Sequence, residues 1–383
     1  MKSNYKKLGQ YIQTVSVKNR DLKVTNLLGV SLKKVFIPSI ANTIGTDMSK
    51  YKVVKKNQFT YGSITSRNGD KISIALLEDD EAIVSTSYTV FEIIDTTKLL
   101  PEYLMMWFRR DEFDRYARFM SHGSTREAFG WEEMCDVQLP VPSIEKQQEI
   151  VDEYNTIVDR IKLNEQLNQK LEEMAQAIYK QWFVDFEFPN SEGKPYKSSG
   201  GKMVYCEELD IEIPEGWTKG YLKNLFELQR GFDLPIQNRN KGKYPIYAST
   251  GIIGYHNEYK VKAPCIVTGR SGSLGEVFYI EDDFWALNTT LWIKSFHNST
   301  PLFSYFILKS INLLEYNSGS AVPTLNRNYL HMHSITVPRI EIINQFEILI
   351  KKIFKYKKVL NSNLKKMYKL KQILFSKLAT IKE

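Results

Sequence analysis

The chain has 383 residues, of which 43% are hydrophobic, 13% aromatic and 25% charged, and its net charge at pH 7 is +8. This length suits two domains of about 150 residues each, and the apolar and charged fractions argue against disorder. The three cysteines, Cys135, Cys206 and Cys265, are odd in number and lack zinc-type spacing, which fits a reducing compartment. The N-terminus lacks an apolar signal core, and no apolar run of about 18 residues could span a bilayer. We therefore expect a cytoplasmic protein with no membrane contact.

The first part of the chain mixes short apolar runs with turn residues. Residues 72–77 and 82–94 alternate apolar and polar positions and are rich in β-branched side chains, which is typical of strands. Residues 101–113 predict a short helix, because Pro101 suits its first turn. This part of the chain, residues 1–142, is predicted to be a mixed domain in which strands dominate.

A heptad pattern follows over residues 143–185, and a second one closes the chain over residues 339–383. Residues spaced seven apart in these two segments are predicted to form the contacts of a helix pair or of a docked partner: Ile150, Ile157, Asn164, Leu171, Ile178, Ile353, Leu360, Met367, Leu374 and Ile381. Repetition over about four heptads favours a coiled coil. The alternative is two surface helices, each packed on its own domain. Asn164 either fixes the register of the pair or faces solvent.

Residues 186–217 are rich in Pro, Gly and Ser and lack a period, so they are predicted to be a linker. The second domain, residues 218–338, repeats the element order of the first. Residues 266–280 predict a strand, a glycine-rich turn and a strand, and residues 301–314 predict a helix. The repeat continues into the long helices, where Pro140, Gln147 and Glu149 align with Pro338, Gln345 and Glu347.

The basic excess of the chain lies on one helix. Residues 349–383 contain eleven lysines and one acid, a net charge of +10, so the rest of the chain carries −2. Residues 149–182 carry seven acids and four bases, a net charge of −3. An acidic and a basic helix attract each other, whereas two copies of the basic helix repel. The charges therefore favour pairing within one chain.

Motifs of catalysis are nearly absent. The sequence contains no phosphate-binding loop, no H-E-x-x-H, no G-x-S-x-G, and no G-x-G-x-x-G opening a βαβ unit. Gly269, Gly272 and Gly275 lie between predicted strands, so we interpret them as a tight turn that carries Arg270 and Ser271 outward. The five histidines do not have metal-ligand spacing. The chain is predicted to bind rather than to catalyse, and to hold no metal.

Polar loops are the candidate nucleic-acid contacts. Arginine suits guanine edges, Asn and Gln suit adenine, and Ser, Thr and Lys suit phosphates. The candidates are Arg67, Asn68, Ser124, Thr125, Arg126, Arg230, Gln237, Asn238, Arg239, Lys241, Lys243, Arg270 and Ser271. Of these, Arg67, Arg126, Arg239 and Arg270 are preferred by chemistry and loop placement.

Two strings are more specific than any of these patterns. KQWFVDFEFPNSEGKPYKSSGG (residues 180–201) and EIPEGW (residues 212–217) follow from no generic physical rule. Together with two variable domains and two heptad helices, they resemble the specificity subunit of type I restriction-modification systems. The resemblance covers essentially the whole chain.

The resemblance implies an α+β fold with two mixed α/β target recognition domains, each followed by a long helix, with the helices forming an antiparallel intramolecular coiled coil. It implies a noncatalytic subunit that reads a bipartite, asymmetric double-stranded DNA site and docks two modification (methyltransferase) subunits. Two restriction subunits complete the ATP-dependent nuclease. No cofactor is expected on this chain; S-adenosylmethionine, ATP and Mg are implied for the partner subunits of the endonuclease and adenine methyltransferase complex.

The helices also predict a distance between the two recognition domains. Roughly 30 helical residues at about 1.5 Å each give about 45 Å, which is one to one-and-a-half turns of DNA. Two alternative functions remain at this point. One is a self-contained methyltransferase or nuclease with fused recognition domains, and the other is a coiled-coil adaptor without a role on DNA.

Overall fold

The structure is a computed structural model that describes residues 5–39, 45–66, 69, 71–123 and 127–381. The chain divides into two compact units, one formed by Met1–Glu165 with Ser362–Glu383 and the other by Gln166–Asn361. We call these the first unit and the second unit. Both boundaries fall inside long helices, so each unit contains a globular domain and a segment of each long helix.

The first unit contains eleven described strands and three short helices before the first long helix. Its strands are β1 (Tyr5–Lys7), β2 (Ile12–Val15), β3 (Val17–Lys18), β4 (Leu28–Val30), β5 (Phe36–Pro38), β6 (Lys52–Lys55), β7 (Phe59–Gly62), β8 (Ile74–Leu76), β9 (Glu81–Val84), β10 (Tyr88–Ile93) and β11 (Gln138–Pro140). Its helices are α1 (Pro101–Phe108), α2 (Asp111–Phe119), α3 (Trp131–Cys135) and the start of α4 (Ile144–Phe183).

The main sheet of the first unit is antiparallel, with strand order β2-β10-β7-β8. Phe59 and Phe91 come from neighbouring strands and stack with ring centroids 4.8 Å apart. Phe108 of α1 packs edge-on against both rings. Because all three side chains are fully buried, they form the centre of this domain.

The helix predicted over residues 101–113 is divided in two. Arg110 is extended, with φ −76° and ψ 142°, and precedes α2. Its guanidinium lies 4.2 Å from the ring centroid of Trp107. The first turn of α2 contains Asp111, Glu112 and Asp114, and acidic residues stabilise a helix N-terminus. The local charges therefore favour a new helix start at this point.

The second unit contains another eleven described strands. They are β12 (Met203–Cys206), β13 (Ile211–Pro214), β14 (Thr218–Tyr221), β15 (Phe226–Arg230), β16 (Tyr244–Ala248), β17 (Gly251–His256), β18 (Cys265–Gly269), β19 (Val277–Ile280), β20 (Trp285–Ala286), β21 (Thr290–Phe296) and β22 (Ser334–Val337). The helices after β21 are α5 (Pro301–Ser310), α6 (Arg327–His331) and α7 (Ile340–Leu378), and β22 lies between α6 and α7.

The main sheet of the second unit repeats that of the first, with strand order β15-β21-β18-β19. In each unit the long strand just before the short helix occupies the same central place: β10 precedes α1, and β21 precedes α5. A two-stranded pair, β1 with β11 and β14 with β22, joins the beginning of each domain to the strand before its long helix. Each unit also has a three-stranded sheet, with strand order β3-β6-β9 in the first and β17-β16-β20 in the second.

The long helices pack against each other in antiparallel fashion. In the first unit, the rings of Tyr154 and Phe375 lie 5.5 Å apart. In the second unit, Asn168 donates a hydrogen bond of 2.9 Å to Asn361, and the rings of Trp182 and Phe346 lie 5.8 Å apart. As the residue numbers of these contacts increase along α4, those of their partners on α7 decrease. The two helices are therefore antiparallel.

A buried polar side chain near the start of each long helix binds the short helix of its own domain. Gln147 accepts a hydrogen bond of 2.9 Å from the backbone of Leu100, and Glu347 accepts one of 2.9 Å from the backbone of Leu302. The sequence alignment paired Gln147 with Gln345, but Gln345 is exposed. Gln147 is the fourth residue of α4, and Glu347 is the eighth residue of α7. Counted from the start of each helix, the two positions differ by four residues, or about one turn, so each points toward the same side of its helix.

The segment predicted as a linker is folded. It contains the hairpin of β12 and β13, and Phe186, Phe188 and Trp217 are buried in the core of the second unit. Phe188 and Trp217 stack with ring centroids 5.3 Å apart. Its Pro, Gly and Ser content predicted a linker, and burial of its large aromatic rings stabilises an ordered structure.

We predict that Phe188→Ala lowers the free energy of unfolding of the second unit by about 3 to 5 kcal/mol, because it removes a buried ring and leaves a cavity. Urea unfolding followed by circular dichroism and tryptophan fluorescence measures this loss. The control is Val204→Ala on the exposed side of the hairpin, which should change stability by about 0.5 kcal/mol or less. Equal stability of the two variants would mean that the segment is a flexible linker.

Candidate nucleic-acid interface

Five candidates of the first unit, Arg67, Asn68, Ser124, Thr125 and Arg126, lie outside the described residues. The residues that flank them are described. Thr65 donates a hydrogen bond of 2.9 Å from its hydroxyl to Ser121, and its backbone donates one of 2.9 Å to Glu127. The segments that lead into both candidate loops are therefore adjacent in the fold.

In the second unit, the strand ends bring Arg230 and Arg270 together. Arg230 ends β15, Arg270 follows β18, and β21 runs between these two strands. The guanidinium of Arg230 donates to Asp233 at 3.3 Å, and Nε of Arg270 donates to the backbone oxygen of Asn288 at 2.8 Å. The side chain of Asn288 in turn donates to Asp233. We call these four residues the arginine cluster.

The arginine cluster is positive and partly desolvated. Burial, followed by the nearby charge of Arg230, lowers the pKa of Arg270, whereas Asp233 acts in the opposite direction. Asp233 and Asn288 were missed at the sequence level, because each follows a strand and gains its partners only when the strands assemble. An Asp or Asn just after a strand end is the signal that could have found them.

The glycine-rich turn is more enclosed than the sequence suggested. Gly272 and Gly275 adopt φ +90° and +98°, which favours glycine. The backbone of Gly272 donates to Pro323 at 3.0 Å, and that of Leu325 donates to Arg270 at 2.8 Å. Because the 317–325 segment packs on the turn, Arg270 and Ser271 are half-buried instead of fully outward.

The other candidates of the second unit form an exposed polar strip. Gln237 and Asn238 lie on a single helical turn with Ile236 and are exposed. Arg239 follows it and donates from Nε to the backbone oxygen of Leu234 at 3.3 Å. Lys241 and Lys243 are also exposed. We call residues 236–243 the polar strip.

The ten residues spaced seven apart in the two long helices, which we call the seam residues, are all at least partly buried. Asn164 is 5% exposed, and its side chain donates to the backbone oxygen of Arg160 at 2.7 Å, so it does not face solvent. Other buried positions of α4 include Ile161 and Trp182, which flank the heptad positions in the sequence. Tyr154 and Ala175 are also buried, and they were missed because an aromatic and a small residue do not stand out in an apolar heptad pattern.

Fewer ion pairs join the two long helices than their opposite net charges suggested. Among the described residues, Glu172 with Lys357 is the one ion pair that joins α4 to α7. Glu172 also accepts from Lys309 at 2.5 Å and from the hydroxyl of Tyr305 at 2.8 Å. Burial tends to raise the pKa of Glu172, but the bonds from both lysines overcome this and hold the pKa below its ordinary value. Most lysines of α7 remain exposed, so they are available to a partner.

Two regions of the chain, residues 5–173 and 214–373, match the family described as the type I restriction modification DNA specificity domain. The matches cover well over half of the chain and fall on the two copies of the repeat. The chain belongs to this family. It is a type I restriction-modification specificity subunit with two recognition domains.

The chain is similar to two named specificity subunits. It is 27% identical to the type I restriction enzyme MjaIX specificity subunit of Methanocaldococcus jannaschii over 303 residues, which cover 73% of this chain and 68% of that protein. It is 33% identical to the type I restriction enzyme HindI specificity subunit of Haemophilus influenzae over 180 residues, which cover 46% of this chain and 39% of that protein. The second match therefore spans less than half of either protein.

The fold is shared with a solved structure. The crystal structure of the type I restriction-modification system S subunit from M. genitalium superposes with a TM-score of 0.60 over 99% of this chain and 96% of that chain, at 14% identity. The predicted α+β class with two mixed domains and an antiparallel helix pair is confirmed. Among the residues that the structure describes, no helix is long and apolar enough to cross a membrane.

We predict that Glu172→Gln lowers the free energy of unfolding at pH 7 by about 1 to 3 kcal/mol, because it weakens charge-assisted hydrogen bonds. Because the folded pKa of Glu172 is lowered, its stabilisation is present above the unfolded pKa, about 4.5, and is lost as pH falls through the folded pKa. The difference from wild type should therefore shrink below pH about 4.5.

Urea unfolding from pH 7 to pH 3 measures this dependence. The control is Glu153→Gln, an exposed position of α4, which should leave stability nearly unchanged at every pH. A Glu172→Gln difference that is the same at every pH would show that the ion pairs do not contribute.

Proposed function

We propose that this chain is the noncatalytic subunit that gives a type I restriction-modification complex its DNA sequence specificity. In this proposal each recognition domain reads one half of a bipartite, asymmetric site. The observation that carries the proposal is the repeated strand order of the two main sheets, joined to loops that differ between the copies. A scaffold that is repeated within the chain, with different loops on each copy, suits two domains that bind different DNA sequences.

The proposed recognition domains are residues 1–142 and 218–338. In the second, the arginine cluster offers two guanidinium groups for guanine edges, and the polar strip offers Gln237 and Asn238 for adenine. Lys241 and Lys243 suit phosphates. In the first domain, the candidate loops begin beside the Thr65–Ser121 hydrogen bond, which holds their stems together.

The proposed partners are two methyltransferase subunits, docked on the helices. Each unit contains the beginning of one long helix paired with the end of the other, so each offers the same kind of surface to one subunit. Apolar side chains and lysines are exposed together on these helices, and a partner with an acidic, partly apolar surface would fit them. The exposed apolar residues are Leu163, Tyr368, Leu370 and Ile373 in the first unit, and Leu167, Met174, Ile340, Ile348, Leu349, Tyr356 and Val359 in the second.

The seam residues have a different role from these exposed residues. Because the ten seam residues are all at least partly buried, we assign them to helix pairing and the exposed side chains to docking. Catalysis and its S-adenosylmethionine, ATP and Mg then belong to the methyltransferase and restriction subunits.

Genome-wide methylation mapping tests the proposed function. Host cells that contain the chain and its methyltransferase partner should show a bipartite methylated motif, and deletion of the chain should abolish methylation at that motif. Unchanged methylation after deletion would contradict the proposal and favour an adaptor without a role on DNA. Methylation by the purified chain alone would favour a self-contained methyltransferase.

We predict that Arg270→Ala weakens binding of the assembled complex to its cognate duplex by about 1 to 3 kcal/mol, and relaxes specificity at one base pair of one half-site. Binding to duplexes substituted at each position measures both effects. The control is Arg160→Ala on the exposed surface of α4, which should leave base discrimination intact. Uniform weakening across all sequences would mark a phosphate contact, and unchanged binding would remove Arg270 from the interface.

A further inference from the structure

Two large apolar side chains are almost fully exposed, one in each unit. Phe119 is 82% exposed and Ile236 is 78% exposed, the highest values among the large apolar side chains that the structure describes. Full burial of such a side chain is worth about 1.5 to 3 kcal/mol. Neither residue contributes that stabilisation to its own domain, so burial of either side chain against a ligand would stabilise the complex.

Phe119 points away from the packed face of its helix. Phe113 and Ala117 of α2 are buried, whereas Phe119 shares the exposed face with Arg115, four residues earlier. Phe119 lies two residues before Ser121, whose hydroxyl is bonded to Thr65. It is therefore next to the stems of both candidate loops of the first unit.

Ile236 also lies beside candidate DNA contacts, in this case those of the second unit. It opens the helical turn that carries Gln237 and Asn238, and all three side chains are exposed. Asp233, three residues earlier, is bonded to Arg230 and Asn288. Ile236 therefore lies at the junction of the arginine cluster and the polar strip.

We propose that Phe119 and Ile236 are apolar contacts to DNA bases, one for each half-site. Phe119 has the flat face needed to pack on an unstacked base step, and Ile236 has the shape to pack against thymine methyl groups. This inference rests on the proposed function, and it adds two residues that set specificity without hydrogen bonds.

The surroundings favour DNA over a protein partner. A protein interface collects several apolar side chains in its centre, and the exposed apolar residues of the long helices have that character. Phe119 instead has polar neighbours, Arg115 and Arg118, which pair with Glu112 and Glu127. Ile236 shares its helical turn with Gln237 and Asn238. An apolar side chain beside polar groups that suit bases and phosphates is an arrangement found where proteins enter a DNA groove.

The test uses the full chain assembled with its methyltransferase subunits. Phe119→Ala and Ile236→Ala should each weaken binding to the cognate duplex by roughly 5- to 100-fold, with the loss limited to sequences that retain the matching half-site. Binding to a duplex without the motif should not change. Phe119→Tyr should restore most of the affinity, because it keeps the ring.

A fluorescent base analogue provides a second readout for Phe119. With 2-aminopurine at successive positions of the first half-site, wild type should raise the fluorescence at one step by unstacking it, and Phe119→Ala should abolish the rise. The matched control is Val204→Ala, an exposed apolar residue of the β12–β13 hairpin, which should leave both signals at wild-type values.

Three results would overturn the inference. Unchanged affinity and specificity in both variants would show that the side chains do not touch DNA. Loss of complex assembly with unchanged specificity of the remaining complex would assign them to a protein partner. An equal loss on duplexes with and without the motif would indicate a general effect on binding. If wild type itself shows no bipartite motif, the proposed function fails, and this outcome is separate from the other three.

Discussion

The rest of the structure depends on the buried seam between the two long helices. Helices of 40 and 39 residues present apolar stripes too long for one small domain to cover, so they cover each other. Because the pairing is antiparallel, the end of α7 lies beside the beginning of α4 in the first unit, where the hydroxyl of Tyr5 also donates to the backbone oxygen of Ala379 at 2.9 Å. The two ends of the chain thus belong to the same unit.

The packing of the seam also determines which lysines of α7 pair with α4 and which remain on the surface. The sequence predicted that the lysine-rich residues 349–383 attract the acidic residues 149–182, yet the described helices share the single ion pair of Glu172 and Lys357. That pair is one local contact, whereas Tyr154, Trp182 and Phe346 are buried in the unit cores. Apolar burial therefore holds the pair together, and the lysines remain a feature of its outer surface.

The long helices could be predicted from the sequence because the heptad period is local. Ile157 and Leu374 fall at seam positions by spacing alone. The linker could not be predicted in the same way, because whether Phe188 and Trp217 are buried depends on a domain that they contact in three dimensions. The break at Arg110 was missed because α1 and α2 are each shorter than three turns, and a continuous apolar pattern hides such a boundary.

The candidate site was predictable only in part. Arg230 and Arg270 were chosen for their chemistry, and the strand order brings them together. Asp233 and Asn288 were missed because their contacts arise from strand ends that are distant in sequence. Ile236 was missed for another reason: an isoleucine in sequence predicts burial, and its exposure is visible only in the fold.

The central claim is that each recognition domain reads its own half of the DNA site. The most direct measurement replaces residues 218–338 with the corresponding domain of another type I specificity subunit and maps methylation in cells that express the chimera with its methyltransferase partner. The account predicts that one half of the bipartite motif changes and the other half is retained. Simultaneous change of both halves, or a motif that does not change at all, would contradict it.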